Sequence, residues 1–372
     1  MSGDDPVRSR ASVARKQLIE SSIMTNGPAH ERNQGGSDVR AMAAIVQENY
    51  GASPEDVLHV AEIATPTIGD NEVLVRVSAS SVDRGTWHVM AGLPYPIRLA
   101  GFGLRQPKAL NPGRCVAGVV EAVDDDASQL KPGDEIFGIS EGGSFAEYAA
   151  ARASKLTRKP ANLTFEQAAA VPISGLTALQ AVRDKAHVTP GQTVLIIGAS
   201  GGVGTFAVQI AKAFDAEVAG VCGPSKVDLV RSIGADHVID YTVEDIADSG
   251  RRYDVILDIG GNRRLSHLRR VLTDTGQLVI VGGETDGRWL GGSDRQIRAI
   301  LLSKLVRQKL GTFISSENAV DLGALREMIE AGKLAPVIDR TYPLSETAEA
   351  IRYVQDGHAR GKVIIAIPTP HS

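Results

Sequence analysis

The chain has 372 residues, of which 43% are hydrophobic and 23% charged, and its formal net charge is −4. This length allows two ordinary domains with a cleft between them, and the mild negative charge argues against a nucleic-acid partner. No apolar run approaches the roughly 20 residues that a membrane helix needs. The two cysteines, Cys115 and Cys222, stand far apart and exclude a disulfide framework and a cysteine-rich zinc site. We therefore expect a cytoplasmic protein.

Residues 1–41 are rich in Arg, Ser, Asn and Gly and show no sustained apolar period. This composition predicts a disordered leader. An organellar transit peptide is the alternative interpretation. Such peptides are poor in acids, whereas this segment carries Asp4, Asp5 and Glu20, so the sequence favours the leader.

Residues 42–164 contain short β-rich runs with turn residues between them. The runs are MAAIVQ from Met42, EVLVRVSA at 72–79, VAGVVEAV at 116–123 and EIFGI at 135–139, the last of which follows the turn KPGD. This pattern predicts a barrel-like β domain.

From residue 165 the pattern changes to strands that alternate with helices. Residues 165–185 predict helix on both sides of Pro172, and mostly apolar strands follow at 193–198, 217–222, 237–241, 254–259 and 277–282. Continuous apolar strands with helices between them predict a parallel sheet covered on both faces, which we place at 165–309. Residues 310–372 hold two helical patterns and the strand KVIIAI, and we expect them to return to the first domain.

The stretch LIIGASGGVGTFAVQIAKAF at 195–214 runs from a strand through a glycine-rich turn into a patterned helix. Glycine permits the tight turn and lets backbone N–H groups approach a pyrophosphate, which then lies at the positive end of the helix. The strand at 217–222 completes the βαβ unit that this motif requires. The sequence therefore predicts a dinucleotide site built from Gly198, Gly201, Gly202, Val203 and Gly204.

The choice of dinucleotide depends on the end of the second strand, where an acid would bind the adenosine ribose of NAD. Cys222 and Gly223 stand there instead, and Ser225, Lys226 and Tyr241 are close in sequence or in strand order. A lysine with hydroxyls suits a 2′-phosphate better than a bare ribose. We therefore predict NADPH rather than NADH; the alternative for Lys226 is a solvated lysine at the start of a helix.

Four features together resemble the medium-chain dehydrogenase/reductase superfamily, in its zinc-free quinone oxidoreductase (zeta-crystallin-like) branch. They are the β-rich first domain, GASGGVG after a strand, GADHVIDY at 234–241 and GKVII at 361–365. The resemblance covers about residues 42–367. It implies an α/β fold in which a GroES-like β-rich catalytic domain is interrupted by a Rossmann dinucleotide-binding domain, with the active site in the cleft between them. It also implies a homodimer or a higher oligomer, of which we expect the homodimer.

Zinc alcohol dehydrogenases of this superfamily bind the catalytic metal through two Cys and one His. The resemblance places these positions on Asp83, Arg114 and Ala170, and neither Arg nor Ala can bind zinc. We therefore expect no metal. Without a Lewis acid the favoured substrates are quinones and α,β-unsaturated carbonyls, because they spread the developing charge as a phenolate or an enolate.

The segment 83–95 supplies most of the remaining candidates. Asp83 could position the nicotinamide end or the substrate, or it could close a turn. The resemblance places Arg84 on the pyrophosphate, with an exposed loop arginine as the alternative. His88 and Tyr95 could line the substrate pocket together with Trp87 and supply a proton, or they could pack under the loop.

Two candidates lie elsewhere in the chain. Thr177 in SGLTA could reach the cofactor or pack inside a helix, and Lys362 could contact the cofactor or be exposed. Two other functions stay open. The chain could be a zinc-free enoyl or alkenal reductase of a specific acyl or lipid aldehyde, or an NADPH-binding protein whose turnover is incidental.

Overall fold

The computed structural model describes residues 40–124, 130–261, 263–282 and 293–368. Residues 1–39 of the expected leader lie outside the described residues, and Ala41 already belongs to the first strand. Within the described ranges we find no helix with the length and apolar character that a membrane crossing requires.

The described residues form fifteen strands and ten α-helices. In chain order, the strands are β1 (Ala41–Gln47), β2 (Leu58–Ala64), β3 (Glu72–Val82), β4 (Cys115–Val123), β5 (Glu135–Ile139), β6 (Tyr148–Arg152), β7 (Leu156–Arg158), β8 (Thr193–Ile197), β9 (Glu217–Cys222), β10 (His237–Asp240), β11 (Tyr253–Asp258), β12 (Leu272–Ile280), β13 (Lys309–Thr312), β14 (Ile338–Pro343) and β15 (Lys362–Ala366). The helices are α1 (Pro54–Val57), α2 (Arg84–Ala91), α3 (Phe165–Ala169), α4 (Pro172–Gln180), α5 (Gly202–Ala213), α6 (Val227–Ser232), α7 (Leu265–Val271), α8 (Ser293–Ser303), α9 (Ala319–Glu330) and α10 (Thr347–Gln355).

A seven-stranded sheet builds the β-rich lobe. Its strand order is β14-β15-β3-β4-β5-β7, and β6 pairs with β3. Along β3 the residues Val73, Val75 and Val77 are buried while the residues between them are partly exposed, which is the period of two of a half-buried strand. β14 and β15 join this sheet, so the chain returns to it after the second sheet. The GroES-like part of the predicted fold is confirmed.

The second sheet has the strand order β10-β9-β8-β11-β12-β13, with all neighbouring strands parallel. This is the order of a Rossmann fold, whose ligands bind at the carboxyl ends of the strands where the strand order reverses. In this chain the reversal lies between β8 and β11, directly before the glycine-rich turn. β13 begins at Lys309, so this sheet extends three residues past the predicted boundary at 309. The domain boundaries themselves remain predictions.

Helix α4 packs between the two sheets. It is buried along almost its whole length and contacts α5 on one side and β4 and β5 on the other. One apolar core therefore includes Phe137 of the first sheet together with Val194 of the second sheet and Ile210 of α5. Burial of this shared core holds the two lobes together and brings the first residue of β15 next to the glycine-rich turn.

Candidate active site

The glycine-rich turn begins where β8 ends. Gly198 has φ +86°, and a Cβ on it would lie 2.9 Å from the backbone nitrogen of Gly260, so only glycine fits this position. The N–H groups of Gly198 and Ala199 both donate to the Val221 carbonyl at 3.1 Å. The turn is thereby fixed between β9 and the segment that follows β11.

Helix α5 starts from this turn and packs closely against it. A Cβ on Gly204 would lie 2.1 Å from the Gly198 carbonyl oxygen, so the missing side chain is what allows the contact. Gly201 is the N-cap, and its side-chain position has no neighbour within 3.4 Å. The first N–H groups of an α-helix, in α5 those of Gly202, Val203 and Gly204, have no acceptor within the helix. Together with the helix dipole they form a site for an anion.

Lys362 is a buried lysine beside this helix start. Only 1% of it is exposed, and its Nζ donates to Ser174 Oγ at 3.2 Å. A Cβ on Gly202 would lie 3.1 Å from Lys362 Cδ and 3.2 Å from Ser174 Oγ. The described residues give this ammonium group no second acceptor. A buried cation with unused donors at the start of a helix fits a phosphate group.

The segment before Lys362 is docked on the turn by backbone hydrogen bonds. The Gly361 N–H donates to the Ser200 carbonyl at 2.9 Å, and Gly361 forms a bridge with Gly201. Gly361 has φ +102°, and a Cβ on it would lie 2.4 Å from the Val337 carbonyl oxygen. The pair Gly361 and Lys362 therefore lies against the glycine-rich turn, although it is about 160 residues away in sequence.

Asp83 lies at the start of α2 and closes a capping box. Its Oδ1 accepts from the Thr86 N–H, and its own N–H donates to Thr86 Oγ1, both at 3.3 Å. Its other oxygen, Oδ2, is buried and has no hydrogen-bond partner among the described residues. Both roles weighed from the sequence are compatible with this geometry, because one oxygen closes the turn and the other can accept a hydrogen bond from a ligand.

The thiol of Cys115 lies close to both of these groups. Burial raises the pKa of this thiol, the charge of Lys362 lowers it and the charge of Asp83 raises it further. The thiol is fully buried and therefore stays protonated and unreactive. Since both charges act on the same thiol, Asp83 and Lys362 lie in one neighbourhood, without an ion pair between them within 4.0 Å among the described contacts.

The remaining candidates of the 83–95 segment are held by backbone carbonyls. Arg84 donates to the Gln355 carbonyl at 2.8 Å, at the end of α10. His88 Nδ1 lies 2.7 Å from the Leu93 carbonyl oxygen, and its ring meets that of Trp87 edge to face with the centroids 5.1 Å apart. The Trp87 indole N–H donates to the Ala52 carbonyl at 3.1 Å.

Tyr95 lies on the chain beyond α2 and is half-buried. The guanidinium group of Arg98 stands 5.0 Å from the centre of its ring and 4.4 Å from that of Tyr50. A cation over an aromatic face is attracted to it, so Arg98 helps to fix both rings.

Thr177 makes the contact of a helix-interior threonine and one contact beyond its helix. Its Oγ1 donates to the Ile173 carbonyl at 2.8 Å and lies 3.2 Å from Ser315 Oγ. The next residue along, Ser316, exchanges hydrogen bonds with Gln180. α4 therefore fixes the loop between β13 and α9, and Thr177 belongs to that attachment.

This loop also reaches Arg114, one of the positions where the resemblance places a zinc ligand. Arg114 is paired with Glu317 Oε1 at 2.7 Å, and Lys155 is paired with Glu317 Oε2 at 3.0 Å. The third position, Ala170, is completely buried among apolar side chains. In the part of the chain that the structure describes, no group of three His, Cys, Asp or Glu side chains could hold a metal ion. These residues do not fit zinc.

The residues predicted for the adenosine end of the site follow β9. Burial raises the pKa of the Cys222 thiol to about 11, and a Cβ on Gly223 would lie 3.3 Å from the Tyr241 hydroxyl. Ser225 and Tyr241 are exposed. Lys226 is half-buried and donates to the carbonyls of Gly357 and Ala359 at 3.1 and 2.9 Å.

Lys226 therefore links the adenosine end to the loop that precedes Gly361. Two of its three N–H donors are used by this loop, which leaves one for a ligand. Burial lowers the pKa of Lys226, and the nearby Arg360 lowers it further, while Asp339 raises it. A phosphate would relieve the repulsion between these two cations.

Sequence reasoning missed Ser174, Arg360 and Glu317. Ser174 lies two residues after Pro172 in the SGLTA segment, and Arg360 directly precedes GKVII, so both adjoin motifs that had been recognised. Their contacts depend on how separate segments pack, which no local pattern reveals. Glu317 carried no signal of its own, because a lone acid in a polar loop is commonplace.

Comparison with known proteins agrees with this architecture. Residues 69–161 match the family described as alcohol dehydrogenase GroES-like domain, and residues 233–365 match the family described as zinc-binding dehydrogenase. The chain is 34% identical to the human NAD(P)H oxidoreductase RTN4IP1, mitochondrial, over 88% of this chain and 89% of that protein. It is 30% identical to the chloroplast envelope quinone oxidoreductase homolog of Arabidopsis thaliana, over 88% of this chain and 98% of that protein.

Solved structures show the same fold. The quinone oxidoreductase from Coxiella burnetii superposes with a TM-score of 0.77 at 27% identity and covers 88% of this chain and all of its own. The enoyl reductase CurK superposes with a TM-score of 0.75 at 26% identity, over 88% of this chain and 99% of its own. The chain belongs to the medium-chain dehydrogenase/reductase superfamily and is an NAD(P)H-dependent oxidoreductase of its quinone oxidoreductase-like branch.

Proposed function

We propose that this protein uses NADPH to reduce quinones or α,β-unsaturated carbonyls and that it does so without zinc. The observation that carries the proposal is which residues occupy the three positions where zinc ligands are expected, and what these residues contact. Asp83 caps a helix, Arg114 is paired with Glu317, and Ala170 is a buried methyl group. Acceptors that spread negative charge over a conjugated system need hydrogen bonds rather than a Lewis acid, so they suit this cleft best.

The chain's own residues would bind and orient the cofactor. The N–H groups at the start of α5 and the ammonium group of Lys362 would hold the pyrophosphate, and Asp83 Oδ2 would accept a hydrogen bond from the nicotinamide half. When bound, NADPH supplies the hydride. Thr177 would act through the Ser315 loop, and Arg84, whose NH1 donates to the Gln355 carbonyl, would contact the pyrophosphate through its guanidinium group.

We propose Tyr95 as the proton donor, in preference to His88. His88 Nδ1 faces the Leu93 carbonyl, which fixes the proton of a neutral ring on that nitrogen. His88 could then release a proton from Nε2 only as the imidazolium ion. A neutral phenol carries a proton to donate in any case.

At the adenosine end we propose that Ser225, Lys226 and Tyr241 hold the 2′-phosphate. The half-buried Lys226 with Arg360 beside it supplies the positive charge, and two hydroxyl groups supply hydrogen bonds. No acid stands at the end of β9 to bind a bare ribose.

A panel of acceptors tests this function. We expect kcat/KM with NADPH to be at least 10-fold higher for quinones or enones than for simple aldehydes, because only the former delocalise the charge. Zinc should be far below one ion per chain, and chelators should leave the rates unchanged. Stoichiometric zinc whose removal abolishes turnover would overturn the metal-free assignment.

The same panel separates the alternative functions. Relatives include the 2-methylene-furan-3-one reductase of Solanum lycopersicum, 31% identical, and the enoyl reductase CurK, so reduction of a specific enoyl or alkenal compound is the second candidate. Saturable turnover of one such compound, with quinones at least 10-fold slower, would favour it. Tight NADPH binding with slow turnover of every acceptor would instead favour a binding protein.

We also propose that the protein is a homodimer in the cytoplasm. β13 is an edge strand, and Ile314 after it is 96% exposed, which suits pairing with a second copy. Two buried free thiols suit a reducing compartment. Sedimentation should give twice the chain mass, and Ile314→Lys should reduce it to one chain; a wild-type monomer would contradict the dimer.

A further inference from the structure

A cavity outside the dinucleotide site is lined by four arginines. Its volume is about 600 Å³, and the residues that line it include Arg252, Arg269, Arg270 and Arg307. Among the described residues, Asp274 is the only acid in that wall. The cavity is therefore a concentration of positive charge on a chain whose net charge is −4.

The topology places this cavity at the amino-terminal end of the Rossmann strands, whereas the glycine-rich turn lies at their carboxyl-terminal end. Arg252 directly precedes β11, Asp274 lies near the start of β12, and Arg307 lies two residues before β13. Parallel strands all start at the same end of a sheet, and the turn follows β8 at the opposite end. Strands of five or six residues separate the two sites by roughly 20 Å.

Two of the four guanidinium groups are oriented by hydrogen bonds to neutral groups. Arg269 Nε donates to Gln308 Oε1 at 2.9 Å, and the buried Gln308 amide donates to the carbonyls of Arg269 and Thr273 at 3.0 and 3.2 Å. Arg252 donates to the Leu272 carbonyl at 3.2 Å. These bonds fix the direction of two cations without removing their charge.

Acidic partners at the cavity are weak or absent in the part of the chain that the structure describes. Arg252 NH1 lies 3.5 Å from Asp274 Oδ1, and that aspartate side chain is 89% exposed. Arg269, Arg270 and Arg307 have no carboxylate within ion-pair distance among the described residues. The partly buried Arg263, by contrast, is paired with Asp245 at 2.7 Å. Uncompensated like charges around one cavity repel each other unless an anion lies between them.

We propose that this cavity binds a small phosphorylated molecule through its phosphate or diphosphate group. Arginine presents paired N–H donors that match phosphate oxygens. Four guanidinium groups offer enough donors to bind several oxygens of a phosphate or diphosphate group. The volume lies within the usual range for small-molecule sites, and the site is open to solvent, so a phosphate group can enter it without a rearrangement of the chain.

Isothermal titration with inorganic pyrophosphate tests the site. The full chain is first saturated with NADPH, so that the glycine-rich turn is occupied. We expect one saturable event per chain that weakens as salt is raised, because the contact is ionic. Arg270→Gln with Arg307→Gln, both at exposed side chains, should weaken it at least 10-fold.

A matched pair of substitutions controls for net charge. Arg264→Gln with Arg298→Gln removes the same charge from two exposed positions, one directly before α7 and one in α8, that do not line the cavity, and it should leave the affinity unchanged. Arg307→Glu, a single reversal at an exposed position, should abolish binding while the melting temperature stays within a few degrees of wild type.

Three results would overturn the proposal. They are no saturable pyrophosphate binding by the wild type, equal weakening in both double variants, and unchanged binding in Arg307→Glu. A single-stranded RNA of about 20 nucleotides serves as a further arm. If it binds more tightly than pyrophosphate and loses that binding in the cavity variants alone, the occupant is a nucleic acid and the small-molecule assignment is wrong.

Discussion

Replacing Lys362 with methionine is expected to raise the dissociation constants of NADPH and NADH by similar factors, about 10- to 150-fold. The reason is that the Lys362 ammonium group lies at the start of α5, where the pyrophosphate common to both cofactors would bind. A charge-assisted hydrogen bond is worth about 1.5–3 kcal/mol, which corresponds to that range in affinity. Fluorescence titration with each cofactor measures it.

The stability of the free enzyme separates this role from a structural one. Lys362 is 1% exposed and donates a hydrogen bond to Ser174. Replacing a poorly compensated buried cation with an apolar side chain of similar length costs little or stabilises the fold. We therefore expect the cofactor-free melting temperature to stay the same or rise in Lys362→Met. Lys333→Met, at an exposed lysine, is the control and should change neither quantity. A lower melting temperature with unchanged affinity would mean that Lys362 serves only the fold.

The turn itself could be predicted from the sequence because its geometry is encoded residue by residue. Gly198 needs a positive φ and Gly204 needs the absence of a Cβ, and each demand leaves a glycine in the sequence. The strand predicted at 135–139 is confirmed as β5 for a similar reason, since a turn and an apolar run define it locally. The strand β13, with the sequence KLGT, was not predicted. Its four residues include a glycine and are too few to show the alternation of apolar and polar residues that marks a strand.

The parts of the site made by packing could not be predicted in this way. Lys362 was a candidate, but nothing near it in sequence shows that it is buried against Ser174 and Gly202. The attachment of Lys226 to Gly357 and Ala359 is a contact across more than 130 residues. Such contacts follow from how β15 docks on the turn, which is a property of the whole fold rather than of a local pattern.

Replacing Lys226, which is attached to Gly357 and Ala359, tests the choice between NADPH and NADH directly. Lys226→Ala is expected to raise the KM for NADPH by about 10- to 150-fold and to leave the KM for NADH nearly unchanged, because NADH has no 2′-phosphate. Turnover at saturating NADPH should hardly change, since the contact is remote from the nicotinamide. Initial rates with both cofactors, for wild type and variant, measure the change.

The pH dependence gives a second readout from the same proteins. Burial and Arg360 hold the pKa of Lys226 below its ordinary value. The charged form binds the phosphate, so the preference for NADPH should be present at neutral pH and be lost as the pH rises through that lowered pKa. The Lys226→Ala variant lacks this titration, and its ratio of the two KM values should stay flat over the same alkaline range.

A structural role for Lys226 predicts a different pattern, because its bonds to Gly357 and Ala359 support the loop that leads to Lys362. If the loop were the only reason for the lysine, its loss would displace Lys362 and weaken NADPH and NADH equally. That result, or a wild-type preference for NADH, would contradict the 2′-phosphate pocket. Asp228, whose side chain is fully exposed beside Arg231 at the start of α6, would then be the residue to test for a ribose contact by Asp228→Asn.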